Sequence, residues 1–270
     1  MIGDEIVSRG YAVVRDFLKE EDLSYIRECY AQQQTIQNEA YNLSIMNPEQ
    51  LKGLDPGLTR LMEQACVVPE FQPNYFSAGA FFATEKGIDF SWHQDHESFF
   101  INQTHRHYLN IYLPVIKPDK LRSNLSMIPV DSFRQRAPDV WSKLEWRGAC
   151  RAEVSGNRTL LADDWQGGQV AELAFDINEL AETPDLEAGD ALLMRGDVFH
   201  STQDTETDRV SLSVRCFNTS VPVSLEHLRV TCEAKDYFVQ GNPVFRVIAE
   251  ILEQRPEMTL AELMEKMAPA

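Results

Sequence analysis

The sequence predicts a mainly β fold, an antiparallel sandwich or jelly roll flanked by helices, and three observations carry that prediction. Short β-forming segments punctuated by turn residues crowd the stretch from Tyr75 to Ser220, with no helices alternating between them as βαβ units require. Helical spacing is confined to the two ends of the chain. The 270 residues, 43% of them hydrophobic, are enough to fill a single packed core.

Near the front, Gly10-Tyr11-Ala12-Val13-Val14 reads as a short strand. Lys19 to Gln33 reads as a helix in which Leu23, Ile26 and Tyr30 share a face, and Glu20, Glu21 and Asp22 suit the positive end of its dipole. Asn47-Pro48 and Leu54-Asp55-Pro56-Gly57 are breakers, and a second helix runs from about Leu58 to Cys66 before Pro69 stops it. Strands are expected around Phe81 and Phe82, then at Tyr108 to Val115, Leu125 to Pro129 and Arg209 to Thr219. The segment from about 134 to 185 holds Trp141, Trp146 and Trp165 and is the expected substrate cap, with Trp165 its candidate contact. Leu186 to Met194 is a Gly-Asp turn leading into an apolar strand. In the tail, Asn242-Pro243 is an N-cap with a first-turn proline, and Val244, Val247, Ile248, Ile251 and Leu252 form one apolar stripe. A last helix starts at Thr259, where Glu262 completes a capping box. Both tail helices are expected to pack on the β core, with a dimer contact or a lid as the alternatives. The organisation expected is one domain over 1–270: packaging in 1–74, a β core in 75–221 and helices in 222–270.

A net charge of -17 argues against a nucleic-acid partner, because phosphate binding needs clustered Lys and Arg. The opening from Met1 to Phe17 has charges within its apolar pattern and matches neither a signal peptide nor a membrane span. The five cysteines (Cys29, Cys66, Cys150, Cys216, Cys232) form no Cys-x-x-Cys pair, which points to reduced thiols and a cytoplasmic setting.

The chemistry concentrates in Trp92-His93-Gln94-Asp95. Residues two apart on an extended strand point the same way, so His93 and Asp95 can grip one metal ion while His200 closes the face. Two His and one carboxylate, with three positions left open, are the ligand set of non-haem iron oxygenases. His200 follows the strand ending at Met194 and a glycine-containing turn, which presents one imidazole at a barrel mouth. In Arg209-Val210-Ser211-Leu212-Ser213-Val214-Arg215, alternation puts Val210, Leu212 and Val214 on one face and the polar residues on the other. A guanidinium matches a carboxylate and a nearby hydroxyl adds a donor, so Arg209 with Ser211 is a candidate clamp for a dicarboxylate co-substrate. Tyr108, Asn110 and Tyr112 alternate onto one face of the preceding strand, and Asn110 or Tyr112 is a candidate contact for the same co-substrate. His96, His105, Arg106 and His107 bracket a loop expected to lie over the metal.

On these residues the chain resembles the phytanoyl-CoA dioxygenase family of iron(II)- and 2-oxoglutarate-dependent oxygenases. The similarity runs from Gly10-Tyr11-Ala12-Val13-Val14-Arg15-Asp16-Phe17 through Trp92-His93-Gln94-Asp95 to Gly189-Asp190, His200 and Arg209. It implies a double-stranded β-helix core, Fe(II) on His93, Asp95 and His200, and 2-oxoglutarate on Arg209, with Ser211 as the serine of an Arg-x-Ser pattern. The Pro-Gly-Ser-His turn common in that family is absent here, where Ser123 to Phe133 contains neither glycine nor His. Arg215 is the alternative clamp, and Ser211 favours Arg209. Related halogenases replace the carboxylate by a small residue, so Asp95 implies hydroxylation of a small molecule with O2 as oxidant; desaturation or ring closure uses the same three ligands. Two other functions fit the same residues: a cupin-like metalloenzyme that does not use 2-oxoglutarate, and a catalytically silent binding protein on the same fold.

Overall fold

The computed structural model describes residues 1–32, 36–37, 42–65, 73–87, 89–95, 107–144, 150–163, 168–226, 228 and 243–267. Two β layers carry the fold. The larger is an antiparallel sheet in the order β1 (Tyr11–Val14), β10 (Ala191–Arg195), β5 (Tyr108–Ile116), β12 (Val210–Phe217), β4 (Tyr75–Ala83), β3 (Asn42–Met46) and β2 (Ile36–Gln37). The smaller is built from β7 (Cys150–Ser155), β8 (Arg158–Asp163) and β9 (Gln169–Leu173) on one side and β11 (His200–Thr202) with β6 (Leu125–Met127) on the other. His93 joins these two pieces by bridging Arg151 of β7 and His200 of β11. With flanking helices, this is the mainly β, jelly-roll core that the strand pattern predicts.

The central strands are buried on both faces because each face meets a different layer. Leu109, Ile111 and Leu113 of β5, Leu193 of β10, and Val210, Leu212 and Val214 of β12 share one apolar cluster with Ile6, Leu23, Ile26, Leu58 and Leu61. Those last five lie on helices Ile2–Arg9, Glu20–Gln32 and Asp55–Ala65, so the front of the chain covers the outer face of the large sheet. The inner face is not uniform. β10 brings Leu192 and Met194 into a second apolar cluster, whereas the neighbouring β5 and β12 turn Asn110, Ser211 and Ser213 to that side, all buried. The expectation that Val210, Leu212 and Val214 share one face and the polar residues the other is met, and the polar face is an interior one.

Gly10 ends the first helix at φ 82. A Cβ there would stand 2.4 Å from Val198 Cγ2 and 2.8 Å from Val130 Cγ2, so both backbone sign and space demand glycine. Gly189, at φ 96, packs against the carbonyl of Leu18. Beside it the buried Asp190 carboxylate accepts from Arg15 Nη1 (2.6 Å), Asp16 N (3.1 Å) and Glu187 N (3.0 Å), tying the front segment to the start of β10.

Three elements differ from the sequence reading. Asn47-Pro48 opens a short helix, Pro48–Leu51, because the Asn47 side chain and Gln50 cap each other reciprocally. The helix expected from Leu58 begins at Asp55, since Pro56 fits a first turn. Cys150–Ser155, Arg158–Asp163 and Gln169–Leu173 of the expected cap form β7, β8 and β9. In the tail, helices Pro243–Gln254 and Leu260–Met267 bury Ile248, Leu252 and Leu263 with Tyr108 and Phe217 of the large sheet. The Thr259 capping box forms, with Thr259 N donating to Glu262 Oε2 at 2.9 Å and Glu262 N to Thr259 Oγ1 at 3.2 Å. Asn242, Pro69, Cys66 and Cys232 lie outside the described residues; Cys29, Cys150 and Cys216 are buried.

Candidate metal centre

His93 and His200 face each other as a hydrogen-bonded antiparallel pair. His93 N donates to His200 O at 3.0 Å and His200 N to His93 O at 2.9 Å, which puts both side chains on one face of the small layer. Their rings lie 4.3 Å apart between centroids. Asp95, two residues on, is fixed by its backbone N–H on Gly196 O at 3.2 Å. One ligand atom from each of His93, Asp95 and His200 lies within 4.8 Å of the others, a spacing that one ion can close. It is the one such group of three or more metal-ligating side chains among the described residues.

The donor set fits a divalent transition metal. His93 Nδ1 donates to Ser91 O at 2.7 Å and His200 Nδ1 to Val198 O at 3.0 Å. A carbonyl only accepts, so both Nδ1 atoms carry the proton and both Nε2 atoms are left for coordination. Asp95 is buried; burial pushes its carboxyl up, but the His200 imidazole, then Arg215 and His93, pull it back below its ordinary value. His200 Nε2 stands 3.7 Å from Asp95 Oδ1.

Gln94, between the two ligands of the motif, points the other way. Its side chain is 1% exposed; Nε2 donates to Asp197 O at 2.8 Å and Oε1 accepts from Cys150 N at 3.1 Å. It thus pins the motif to β7 on one side and to the turn before His200 on the other. Trp92 and Phe199, which alternate with the ligands, are buried in the second apolar cluster with Phe133 and Trp141, and Trp92 Nε1 donates to Asn178 Oδ1 at 3.0 Å. Sequence reasoning singled out the ligands and missed Gln94, although the strict alternation of His-x-Asp already implies that the middle residue points to the opposite face.

Across the interior, Arg209 stands just before β12 and is 2% exposed. Its Nη1 donates to Tyr112 Oη at 2.7 Å and to Ser211 Oγ at 3.1 Å. Its Nε has no hydrogen-bond partner, and no carboxylate among the described residues pairs with it. A buried guanidinium with an idle donor is costly unless an anion meets it. The structure thus brings Arg209, Ser211 and Tyr112 into one donor cluster. Asn110 is not part of it: Asn110 Nδ2 donates to Asp95 Oδ2 at 3.2 Å. Arg215 lies six residues from Arg209, about 20 Å along an extended strand, and its Nη1 donates to Ser213 Oγ at 3.1 Å. His107 is half-buried just before β5, while His96, His105, Arg106, Trp146 and Trp165 lie outside the described residues.

No protein-family model matches the chain and no curated protein matches it. Solved structures do. The non-heme alpha ketoglutarate dependent carbocyclase SnoK from nogalamycin biosynthesis is similar over 81% of this chain and 83% of its own, with a TM-score of 0.54 at 12% identity. The epimerase SnoN, in complex with Fe3+, alpha ketoglutarate and nogalamycin RO, is similar over 81% and 83%, with a TM-score of 0.50 at 16% identity. EvdO2 from Micromonospora carbonacea var. aurantiaca is similar over 80% and 89%, with a TM-score of 0.52 at 13% identity. The fold is therefore the one used by non-haem 2-oxoglutarate-dependent enzymes, and among the described residues no helix is long and apolar enough to cross a membrane.

Proposed function

We propose that this chain is an iron(II)- and 2-oxoglutarate-dependent dioxygenase of the phytanoyl-CoA dioxygenase type, hydroxylating a C–H bond of a small organic molecule in the cytoplasm. The observation that carries the reading is the buried Arg209, its Nε idle, bonded to Tyr112 of β5, the strand whose Asn110 reaches Asp95. A metal site alone suits many reactions; a metal site facing an unmatched buried cation suits a ligand that chelates at one end and carries a carboxylate at the other. Neighbours of the same fold that carry alpha ketoglutarate in their names or complexes add weight to that ligand.

His93, Asp95 and His200 hold the metal through two Nε2 atoms and one carboxylate oxygen. Arg209, with Ser211 and Tyr112 orienting its guanidinium, holds the distal carboxylate of 2-oxoglutarate. When bound, iron with O2 supplies the oxidation, one oxygen atom entering the substrate and the other entering succinate as the keto acid loses CO2. The protein's own part is position and dryness: Arg209, Ser211 and Asp95 are all under one tenth exposed, where electrostatic contacts are strongest. Asp95 occupies the position that a halogenating enzyme leaves to halide, which favours hydroxylation. The net charge of -17 favours a small-molecule partner over nucleic acid.

The test is product analysis under 18O2 with a panel of small amino acids, acyl compounds and natural-product intermediates, following succinate and the substrate's mass. Succinate formation with one 18O in the product supports the reading. Oxidised product without 18O replaces hydroxylation by desaturation or ring closure, and turnover that does not need 2-oxoglutarate removes the co-substrate assignment.

A further inference from the structure

Asp95 is served by a chain of donors that the ligand set alone does not explain. Arg215 Nη1 donates to Ser213 Oγ (3.1 Å), Ser213 Oγ donates to Asn110 Oδ1 (2.6 Å), and Asn110 Nδ2 donates to Asp95 Oδ2 (3.2 Å). Every member runs in one direction, from a cation to an anion, so each bond polarises the next. The orientation of the amide follows from chemistry: a carboxylate only accepts, so Nδ2 must face Asp95, and Oδ1 is left to take the serine proton. Asn110 and Arg215 are direct cross-strand partners on β5 and β12, and Asn110 and Ser213 are 3% and 2% exposed.

The consequence concerns how many oxygens Asp95 offers. Asn110 takes Oδ2, while Oδ1 is the atom that faces His200 Nε2 at 3.7 Å. A six-position metal with two imidazoles and one carboxylate oxygen keeps three positions for other ligands. If both carboxylate oxygens bound, two would remain, and a chelating keto acid would fill them.

We propose that Asn110 and Ser213, anchored by Arg215, are positioning residues that hold Asp95 as a one-oxygen ligand and so keep the third exchangeable position open. This rests on the metal reading above. It also separates Arg209, just before β12, from Arg215 within it: Arg209 meets the co-substrate and Arg215 supports the ligand carboxylate.

The experiment is anaerobic titration of the metal-free protein with Co(II), whose visible absorption reports both affinity and coordination, in wild type, Asn110→Ala, Ser213→Ala and Ser213→Thr. Unfolding of each metal-free variant is followed in parallel. Loss of an outer partner of a metal ligand costs roughly 10- to 100-fold in metal affinity. The proposal expects a loss of that size in Asn110→Ala, a smaller one in Ser213→Ala, and recovery in Ser213→Thr, which keeps the hydroxyl. A merely structural role would shift unfolding and leave Co(II) affinity alone. Co(II) affinity within about twofold of wild type in both Asn110→Ala and Ser213→Ala overturns the relay while leaving the metal site standing. Wild type that takes up no Co(II) overturns the metal reading itself.

Discussion

Replacing Gln94 by Leu tests how the ligand motif is held. The side chain is 1% exposed and makes two hydrogen bonds, 2.8 Å to Asp197 O and 3.1 Å from Cys150 N. Leucine removes both polar contacts; being branched and about one methylene larger, it adds a packing cost to their loss. A buried group deprived of its partner costs about 1–3 kcal/mol, and two such groups give an expected loss of about 2–6 kcal/mol. Urea unfolding of the metal-free protein, followed by tryptophan fluorescence, measures it. The same change loosens the turn at Asp197 that leads to His200, so Co(II) affinity falls as well. Gln94→Glu adds a sign test. Its acid form can still donate to Asp197 O and its anion cannot, so its folded pKa is raised; the stability it retains is present at low pH and is lost as pH rises through that folded value. A Gln94→Leu protein within about 0.5 kcal/mol of wild type would refute the reasoning.

Arg209→Lys should weaken 2-oxoglutarate binding at least tenfold, since a lysine cannot make the planar fork, with Co(II) affinity unchanged; calorimetry with the metal-loaded protein reads the first and Co(II) titration of the metal-free protein the second. Gly10→Ala should destabilise by about 2 kcal/mol or more, because φ is 82 and the methyl would stand 2.4 Å from Val198 Cγ2; an unchanged unfolding midpoint would contradict that geometry. Lys117 is pulled down from 10.5 to about 8 by burial and by the Arg209 charge. The folded state therefore binds fewer protons than the unfolded one between those values, and stability rises with pH across that window. Lys117→Met should flatten the rise in a series of unfolding curves from pH 7 to 10.

Much of the site was legible because period-two patterns are strong signals. Val210, Leu212 and Val214 are buried together behind β12, and His93 and Asp95 share the face that alternation assigns them. What was not legible depends on partners distant in sequence. Asn110 looks on its strand like a co-substrate contact, and only the meeting of β5 with the small layer shows Asp95 as its partner. β7 alternates buried and exposed only over its first residues, Cys150 to Glu153, and then runs exposed; a strand with so little apolar contrast between tryptophan-bearing flanks reads as an insert. Asn47-Pro48 reads as a breaker until Gln50 is seen to close the cap.

The most direct test of the central claim is anaerobic addition of iron(II) and 2-oxoglutarate to the metal-free protein, watching for the weak visible charge-transfer band of a keto acid chelated to iron. The account predicts a band in wild type that His200→Ala abolishes and that needs more 2-oxoglutarate in Arg209→Lys. No band in the intact protein, or one indifferent to both substitutions, would contradict it.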